Sequence, residues 1–323
     1  MQRKQFIRYA VATAVAALAG SAGAQGGWPN KPITMIIPFP PGGTLDVVGR
    51  LLAQKLGAQL GQTVIVDNRP GGAGTIGATA VKHAQGDGYT LLFTASTFTV
   101  TPMTQKTPAY DVVKDFAPVA LVAKAPLAIA VNKNLPFSDV KGLLAYGKQH
   151  PGKLTFAIGS TGSAGHLSTE LLRRVGNMEY VIVPYKGSSP AYQDLVGGQI
   201  DAFIDPILGS AAFAKAGQLK VLAVTSKARV PNQPELPTVG ETVPGYEFYS
   251  WYGLWGPASL PKDIAARLNA EVNKALSAGD MPEKLPAQGL LLTPGSIDDF
   301  ARFQKDDMAL SQRIITEGKI RAE

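Results

Sequence analysis

No cysteine occurs among the 323 residues of the chain. That excludes disulfides, thiolate metal sites, a cysteine nucleophile and a lipidated N-terminal cysteine. Histidine is scarce as well: His83, His150 and His166 are the full set. No H-E-x-x-H motif is present, so a zinc centre has little to build on. Charged residues make up only 17% of the chain, and beyond residue 24 there are 28 basic against 24 acidic side chains. So mild an excess gives no basic patch for nucleic acid. After the N-terminal two dozen residues, no stretch approaches the ~18 consecutive apolar residues of a membrane span. What the chain does have is 45% apolar residues, 35 Gly and 24 Pro. It is long enough for a sizeable core and for two domains.

The first 24 residues read as an address. Met1 to Arg8 is short and basic, Tyr9 to Ala19 is apolar, and Ala22-Gly23-Ala24 offers a small-x-small cleavage site before Gln25. This is the three-part secretory pattern. The mature protein is therefore expected to be exported, soluble and without a membrane anchor.

The remainder alternates strand and helix. Ile33–Ile37 is an apolar, β-branched run ended by Pro38, which reads as a buried strand. A helix follows with Leu45, Val48, Leu52, Leu56 and Leu60 on one face, Thr44 as its expected N-cap and Gly61 as its stop. Further strands are expected at 63–66, 90–94, 128–131, 154–158, 181–183, 200–204, 221–225 and 251–255. Helices are expected at 78–83, after Ser138 as cap, at 166–175, at 190–196, and in two C-terminal segments around 264–276 and 297–315. The order argues for an α/β fold with parallel sheets covered by helices. Each half opens with a strand that runs into a glycine-rich loop and a helix start. Ligands of open α/β sheets gather at such strand ends. We therefore expect two sheets flanked by helices with a ligand cleft between two domains. Crossings are placed near 124–126 and 225–230, giving one domain of 25–125 plus 227–323 and a second of 126–226.

The loops carry the chemistry. Gly42, Gly43 and Thr44 start a helix, where glycine lets the backbone approach a ligand and free N–H groups favour an anion. Asp46 lies one turn on. Ser160, Thr161, Gly162 and Ser163 repeat the arrangement with hydroxyls, and His166 follows. Tyr185, Lys186, Gly187 and Ser188 form a third such loop, with an aromatic wall in Tyr185. Asp205 ends a strand before Pro206, where it either points into the cleft or caps the next helix. Ser96, Thr97 and Thr99 are read as the end of the third strand, lining the same cleft. Tight, capped turns are the bland alternative for each loop taken singly.

Other motifs lead nowhere catalytic. Gly72-Ala73-Gly74-Thr75-Ile76-Gly77 fits G-x-G-x-x-G, but Asn68-Arg69-Pro70-Gly71 makes the turn too long, and no acid lies between Asp87 and Asp111. Close packing of a helix start on the sheet is the better reading than a dinucleotide site. The G-x-S-x-G elbow fails around Ser163. His166 and Glu170 at i, i+4 make only two ligands, so no metal is assigned. Tyr246, Tyr249, Trp251, Tyr252 and Trp255 read as packing, with a sugar platform as the minority alternative.

Several segments together resemble the Bug-type extracytoplasmic receptors of tripartite tricarboxylate transporters. They are Trp28-Pro29-x-Lys31-Pro32-Ile33, Pro38-Phe39-Pro40-Pro41-Gly42-Gly43-Thr44-x-Asp46, Val66 to Gly74, Val183 to Gly187, Asp194 to Asp201, Ala223 to Ser226, Pro237-Thr238-Val239 and Pro244-Gly245-Tyr246. The resemblance covers essentially the whole mature chain. It implies the two-domain periplasmic-binding-protein fold of type II-like form, a small carboxylate ligand, membrane transporter subunits as partners, and no cofactor or enzymatic activity. Carried onto this sequence it points to Gly42, Gly43, Thr44, Asp46 and Ser160 to Ser163 for one carboxylate, with Tyr185 to Ser188 and Asp205 shaping the rest of the pocket. Phe39, Ser96 and His166, which lie beside these loops in the sequence, complete the candidate ligand-binding set, His166 either stabilising its loop or touching ligand. Pro206-Ile207-Leu208-Gly209 after Asp205 departs from the more polar pattern of relatives, which favours a more apolar ligand body. A monomeric periplasmic receptor is the expectation; an exported hydrolase, or a sugar- or metal-binding receptor, are the alternatives.

Overall fold

The computed structural model describes residues 27–318 and 320. The signal segment expected at 1–24 and the cleavage expected after Ala24 lie outside the described residues. Strands run in the order β2-β1-β3-β9-β4-β7-β5-β6, with β8 (Leu219–Val224) and β10 (Leu291–Leu292) also paired to β4. On one side, β1 (Ile33–Ile37) pairs parallel with β2 (Val64–Asn68) and β3 (Thr90–Ala95). On the other, β5 (Thr155–Ile158) pairs parallel with β6 (Val181–Pro184) and β7 (Ala202–Pro206). Two antiparallel strands join the sides: β9 (Tyr249–Pro257) and β4 (Phe116–Asn132).

Strand β4 is a single run of 17 residues, where the sequence suggested a strand only from Ala128. It pairs with β9 as far as Pro126 and with β7 from Leu127 onward. Pro118 and Pro126 obscured it. Pro118 sits at a register shift, and Pro126 at the change of partner, places where a missing N–H is tolerated. The two expected sheets are thus continuous through one strand.

Period-2 alternation sets the layers. In β1, Ile33, Met35 and Ile37 face the first core and Ile36 the opposite one. In β9, Tyr252 and Leu254 face the first core, while Trp251 and Trp255 pack on Phe300. Helix α1 (Thr44–Leu60) buries Leu45, Val48, Leu52, Leu56 and Leu60 against β1, each worth about 1.5–3 kcal/mol. Gly49 allows the close approach, since a Cβ there would lie 2.5 Å from Ile37 Cδ1. Gly61 ends α1 in the left-handed conformation. Helix α2 is Thr75–Lys82. Gly77 at its start would bring a Cβ within 2.7 Å of Pro38, so the G-x-G-x-x-G stretch serves packing.

Two further expectations are corrected. Thr44 is not the cap of α1: Gly43 is, and Thr44 is the first helical residue. The Asp46 carboxylate takes the Gly42 N–H instead. The helix read after Ser138 is capped by Asp139, whose carboxylate accepts from the Gly142 N–H. A helix the sequence did not reveal, α3 (Thr97–Thr104), follows β3 directly and contains Pro102. Thr97 and Thr99 therefore belong to a helix start rather than a strand end. The four-residue helix α4 (Val112–Asp115) and helix α5 (Val140–Gln149) precede α6 (Ala164–Gly176), α7 (Ser188–Gly197) and α8 (Ile207–Lys215). At the C-terminal end α9 (Lys262–Ser277) covers the first core, the short α10 (Met281–Lys284) follows, and α11 (Ile297–Gly318) reaches both sides. Phe300 of α11 packs under β9, and Ile314 and Ile315 meet Leu167 of α6.

Candidate functional site

Five helix N-termini converge on one cleft between the two sides of the sheet. Its wall includes Gly43 and Thr44 from α1, Thr97 from α3, Ser163, Ala164 and Gly165 from α6, Ser188, Ser189 and Pro190 from α7, and Asp205 and Pro206 before α8. The first-turn N–H groups of a helix have no partner inside it, and each N-terminus carries roughly half a positive charge. An anion in this cleft is met by oriented dipoles rather than by an arginine.

The cleft's rims approach each other closely. A Cβ on Gly187 would lie 3.5 Å from Pro40 Cδ, and one on Gly42 3.8 Å from Ser189 Oγ. Both glycines have left-handed φ, 108° and 90°, so the turns at the rim need glycine for conformation as well as for space. Gly43 differs: its φ is −82°, and a Cβ there would meet nothing within 4 Å. Its missing side chain leaves cleft volume open.

Among the sequence-selected residues, Phe39, Gly43, Thr44, Asp46, Ser160, Ser163, Gly187, Ser188 and Asp205 stand on the cleft wall. Gly42, Ser96, Thr161, Gly162, His166 and Tyr185 do not. Gly42 is spent in the loop, donating its N–H to Asp46 Oδ2 at 3.0 Å. His166 is buried, its Nδ1 accepting from the Gly162 N–H at 3.1 Å. Burial, helped by Arg173, pushes its pKa down to about 4, so it is a neutral brace for the 160–163 turn. Glu170 lies 3.9 Å from its Nε2, and no group of three potential metal ligands occurs among the described residues. Tyr185 turns away and donates to Asp194 Oδ2 at 2.6 Å; the aromatic walls are Phe39 and Tyr252 instead. Ser96 lies under α3 as its N-cap residue.

Asp46 and Asp205 have opposite characters. Asp46 accepts from Arg50 Nε at 2.9 Å, Asn68 Nδ2 at 3.0 Å and the Gly42 N–H at 3.0 Å. Burial opposes its ionisation, but the bonds from Arg50, Asn68 and Gly42 outweigh burial and hold its carboxyl below the usual range. It organises the Pro38–Gly43 loop. Asp205 is 7% exposed and receives one bond, from Ser188 Oγ to Oδ1 at 3.0 Å. Its Oδ2 has no partner within the chain, and burial pushes its pKa up to about 7. The hydroxyls of Thr44, Tyr192 and Tyr252 are likewise buried without a partner. Tyr192 and Tyr252 feel the Asp205 charge; the Tyr192 hydroxyl lies near enough to ease the burial of the Asp205 carboxylate, without a hydrogen bond of full geometry. Buried polar atoms are ordinarily satisfied, and these belong to or adjoin the same cleft.

The sequence reading missed Tyr252, Ser250 and Ala95 as wall residues, whereas Pro206, singled out with the segment after Asp205, does line the cleft. Tyr252 was legible in principle: between Trp251 and Gly253 it must face opposite to Trp251, on the same side as Ser250, and both carry hydroxyls. Gly165 has a packing role, since a Cβ there would sit 2.2 Å from the Ile204 carbonyl oxygen.

A cleft between two α/β sides, ringed by helix N-termini and crossed by joining strands, is the arrangement of a solute-binding protein. The chain belongs to the tripartite tricarboxylate transporter family receptors, whose family model matches residues 48–320. It is 37% identical over 297 residues to the UPF0065 protein in the tcbD-tcbE intergenic region of Pseudomonas sp. (strain P51), covering 91% of this chain and 88% of that one. It is 34% identical over 293 residues to protein BugT of Bordetella pertussis, covering 90% of each. Among solved structures, R. palustris Rpa4515 with adipate superposes with a TM-score of 0.89 at 35% identity, over 91% of this chain and 99% of that one. The periplasmic binding protein BugD gives 0.86 at 31%, over 92% and 100%. MatC (Rpa3494) from Rhodopseudomonas palustris with bound malate gives 0.84 at 31%, over 89% and 100%. The fold is therefore that of the two-domain periplasmic binding proteins, and the protein is a receptor of the Bug type. Among the described residues no helix is long and apolar enough to cross a membrane.

Proposed function

We propose that this receptor captures a small carboxylate in the periplasm by closing its two lobes, and delivers it to the membrane subunits of a tripartite tricarboxylate-type transporter. The observation that carries this reading is the convergence of helix N-termini from both sides of the sheet on one cleft. One ligand carboxylate sits between Gly43–Thr44 and Ser160–Ser163, held by N–H groups and hydroxyls. Phe39, Tyr252 and the prolines flank its body. The lobes are 25–125 plus 227–323 and 126–226, and the strand crossing at Pro126–Leu127 is one hinge. The close approach of the rims at Pro40 and Gly187 supports closure around a small ligand. The adipate and malate carried by two relatives support a dicarboxylate as the ligand class. Export follows the secretory pattern, with cleavage after Ala24.

A melting-temperature screen of the mature protein against carboxylates, sugars and divalent metals tests the proposal. A cognate carboxylate at 100 times its dissociation constant adds about 2.7 kcal/mol of stability, and sugars and metals add none. Selective stabilisation by a sugar or a metal would refute it.

A further inference from the structure

We infer that Asp205 makes capture of a diacid proton-linked: the far carboxyl of the ligand shares a proton with Asp205 Oδ2, so the dianion enters the cleft together with one proton. This rests on the proposed carboxylate-binding role of the cleft and names what its far end selects.

Asp205 ends β7, stands on the cleft wall and is more than nine-tenths buried, with Oδ2 unpartnered within the chain. No ion pair reaches it among the described residues. The groups around it come from every neighbouring element. Helix α7 presents Ser188, which bonds Oδ1, and Tyr192, whose buried hydroxyl lies near the Asp205 carboxyl without a hydrogen bond of full geometry. Strand β9 presents Tyr252, also unpartnered. Helix α6 packs on β7 at Gly165 and brings His166, which is neutral at physiological pH, and Glu170, which is occupied with Arg173 at 3.6 Å. Helix α1 brings Asp46, already paired with Arg50. Lys186 reaches the cleft only from its exposed rim, and Lys215 lies at the far end of α8. Strand β4 contributes Ala128 opposite Asp205.

The near carboxylate of a diacid is met by the α1 and α6 N-termini. Its far carboxylate then approaches a buried carboxyl with no cation between them. Two carboxylates sharing a site do not both ionise; one retains a proton. The proton comes from the buffer acid, forms the O–H bond on Asp205 Oδ2 and is donated to a ligand carboxylate oxygen. The raised pKa of Asp205 agrees with this assignment.

Calorimetry on the mature protein decides it. Adipate and malate are titrated from pH 6 to 8.5, and at pH 8 in buffers of different ionisation enthalpy, beside 6-aminohexanoate. Above neutrality, the affinity for the diacid that binds falls about tenfold per pH unit, with about one proton taken up per ligand at pH 8. Asp205→Asn removes the proton uptake and the pH dependence, because the amide N–H donates without titrating. The wild-type proton count stands even where the variant does not fold. Diacid binding without proton uptake overturns the inference while leaving carboxylate capture intact. So does 6-aminohexanoate binding more tightly than either diacid at every pH, the mark of an ionised Asp205 paired with an ammonium. Failure of every carboxylate to bind overturns the capture reading and this inference with it.

Discussion

Replacing Thr44 by valine separates binding from stability. Thr44 is the first residue of α1, 7% exposed and on the cleft wall, and its Oγ1 has no partner within the chain. Valine has nearly the same shape, and its helix propensity is similar. A hydroxyl that bonds an ionised ligand contributes about 1.5–3 kcal/mol, so its loss weakens the complex roughly 10- to 150-fold. An unsatisfied buried hydroxyl costs about 1–3 kcal/mol of desolvation in the free protein. Valine removes that cost, so the ligand-free variant is at least as stable as the wild type, by up to that amount. Urea unfolding without ligand and calorimetry with it measure the two quantities. Arg69 lies off the cleft, paired to Asp67 at 2.8 Å, and Arg69→Ala serves as the control with unchanged affinity. A Thr44→Val variant that is destabilised yet binds normally would show that the hydroxyl has a structural partner and no ligand, and would refute the reasoning.

Gly165→Ala places a Cβ 2.2 Å from the Ile204 carbonyl oxygen and should destabilise by about 1–3 kcal/mol, read as a lower urea midpoint with unchanged slope. Asp46→Asn weakens the bonds that fix the Pro38–Gly43 loop. Because the Asp46 carboxyl titrates below its unfolded value of about 3.9, its stabilisation is present above that pH and is lost as pH falls through the lower folded pKa; the variant should have a shallower acid limb in urea unfolding below about pH 4. His166 is held neutral, with a folded pKa of about 4 against 6.5. The unfolded chain binds the extra proton, so stability should rise with pH between those values, and His166→Gln should flatten that slope while keeping an acceptor for the Gly162 N–H.

Local patterning made much of this fold readable before any coordinates. The Leu45–Leu60 stripe, the Ile33–Ile37 strand and the Gly61 stop follow from side-chain period and glycine conformation, and each depends on neighbours close in sequence. Strand β4 was hidden because its prolines are tolerated at a register shift and a partner change, features of tertiary pairing. Helix α3 was hidden because a Thr-rich segment containing Pro102 has poor helix propensity. The Thr101 and Thr104 hydroxyls donate to backbone carbonyls four and three residues back, respectively, and the Phe98 side chain anchors the segment in the aromatic core. The glycine loops were legible as anion cradles because helix starts have one chemistry wherever they occur. Which side chains face the cleft was not legible. His166 and Tyr185 found partners inside their own lobe, while Tyr252 reached the cleft from a strand more than 45 residues away from any of the glycine loops.

The most direct test is a crystal structure of the mature protein purified with its retained ligand or soaked with adipate. The account expects one carboxylate of the ligand within hydrogen-bonding distance of the Gly43–Thr44 backbone or Thr44 hydroxyl on one side and of Ser160–Ser163 on the other, with no arginine in contact. A carboxylate held by Arg50 or Arg69, or a ligand outside this cleft, would contradict it.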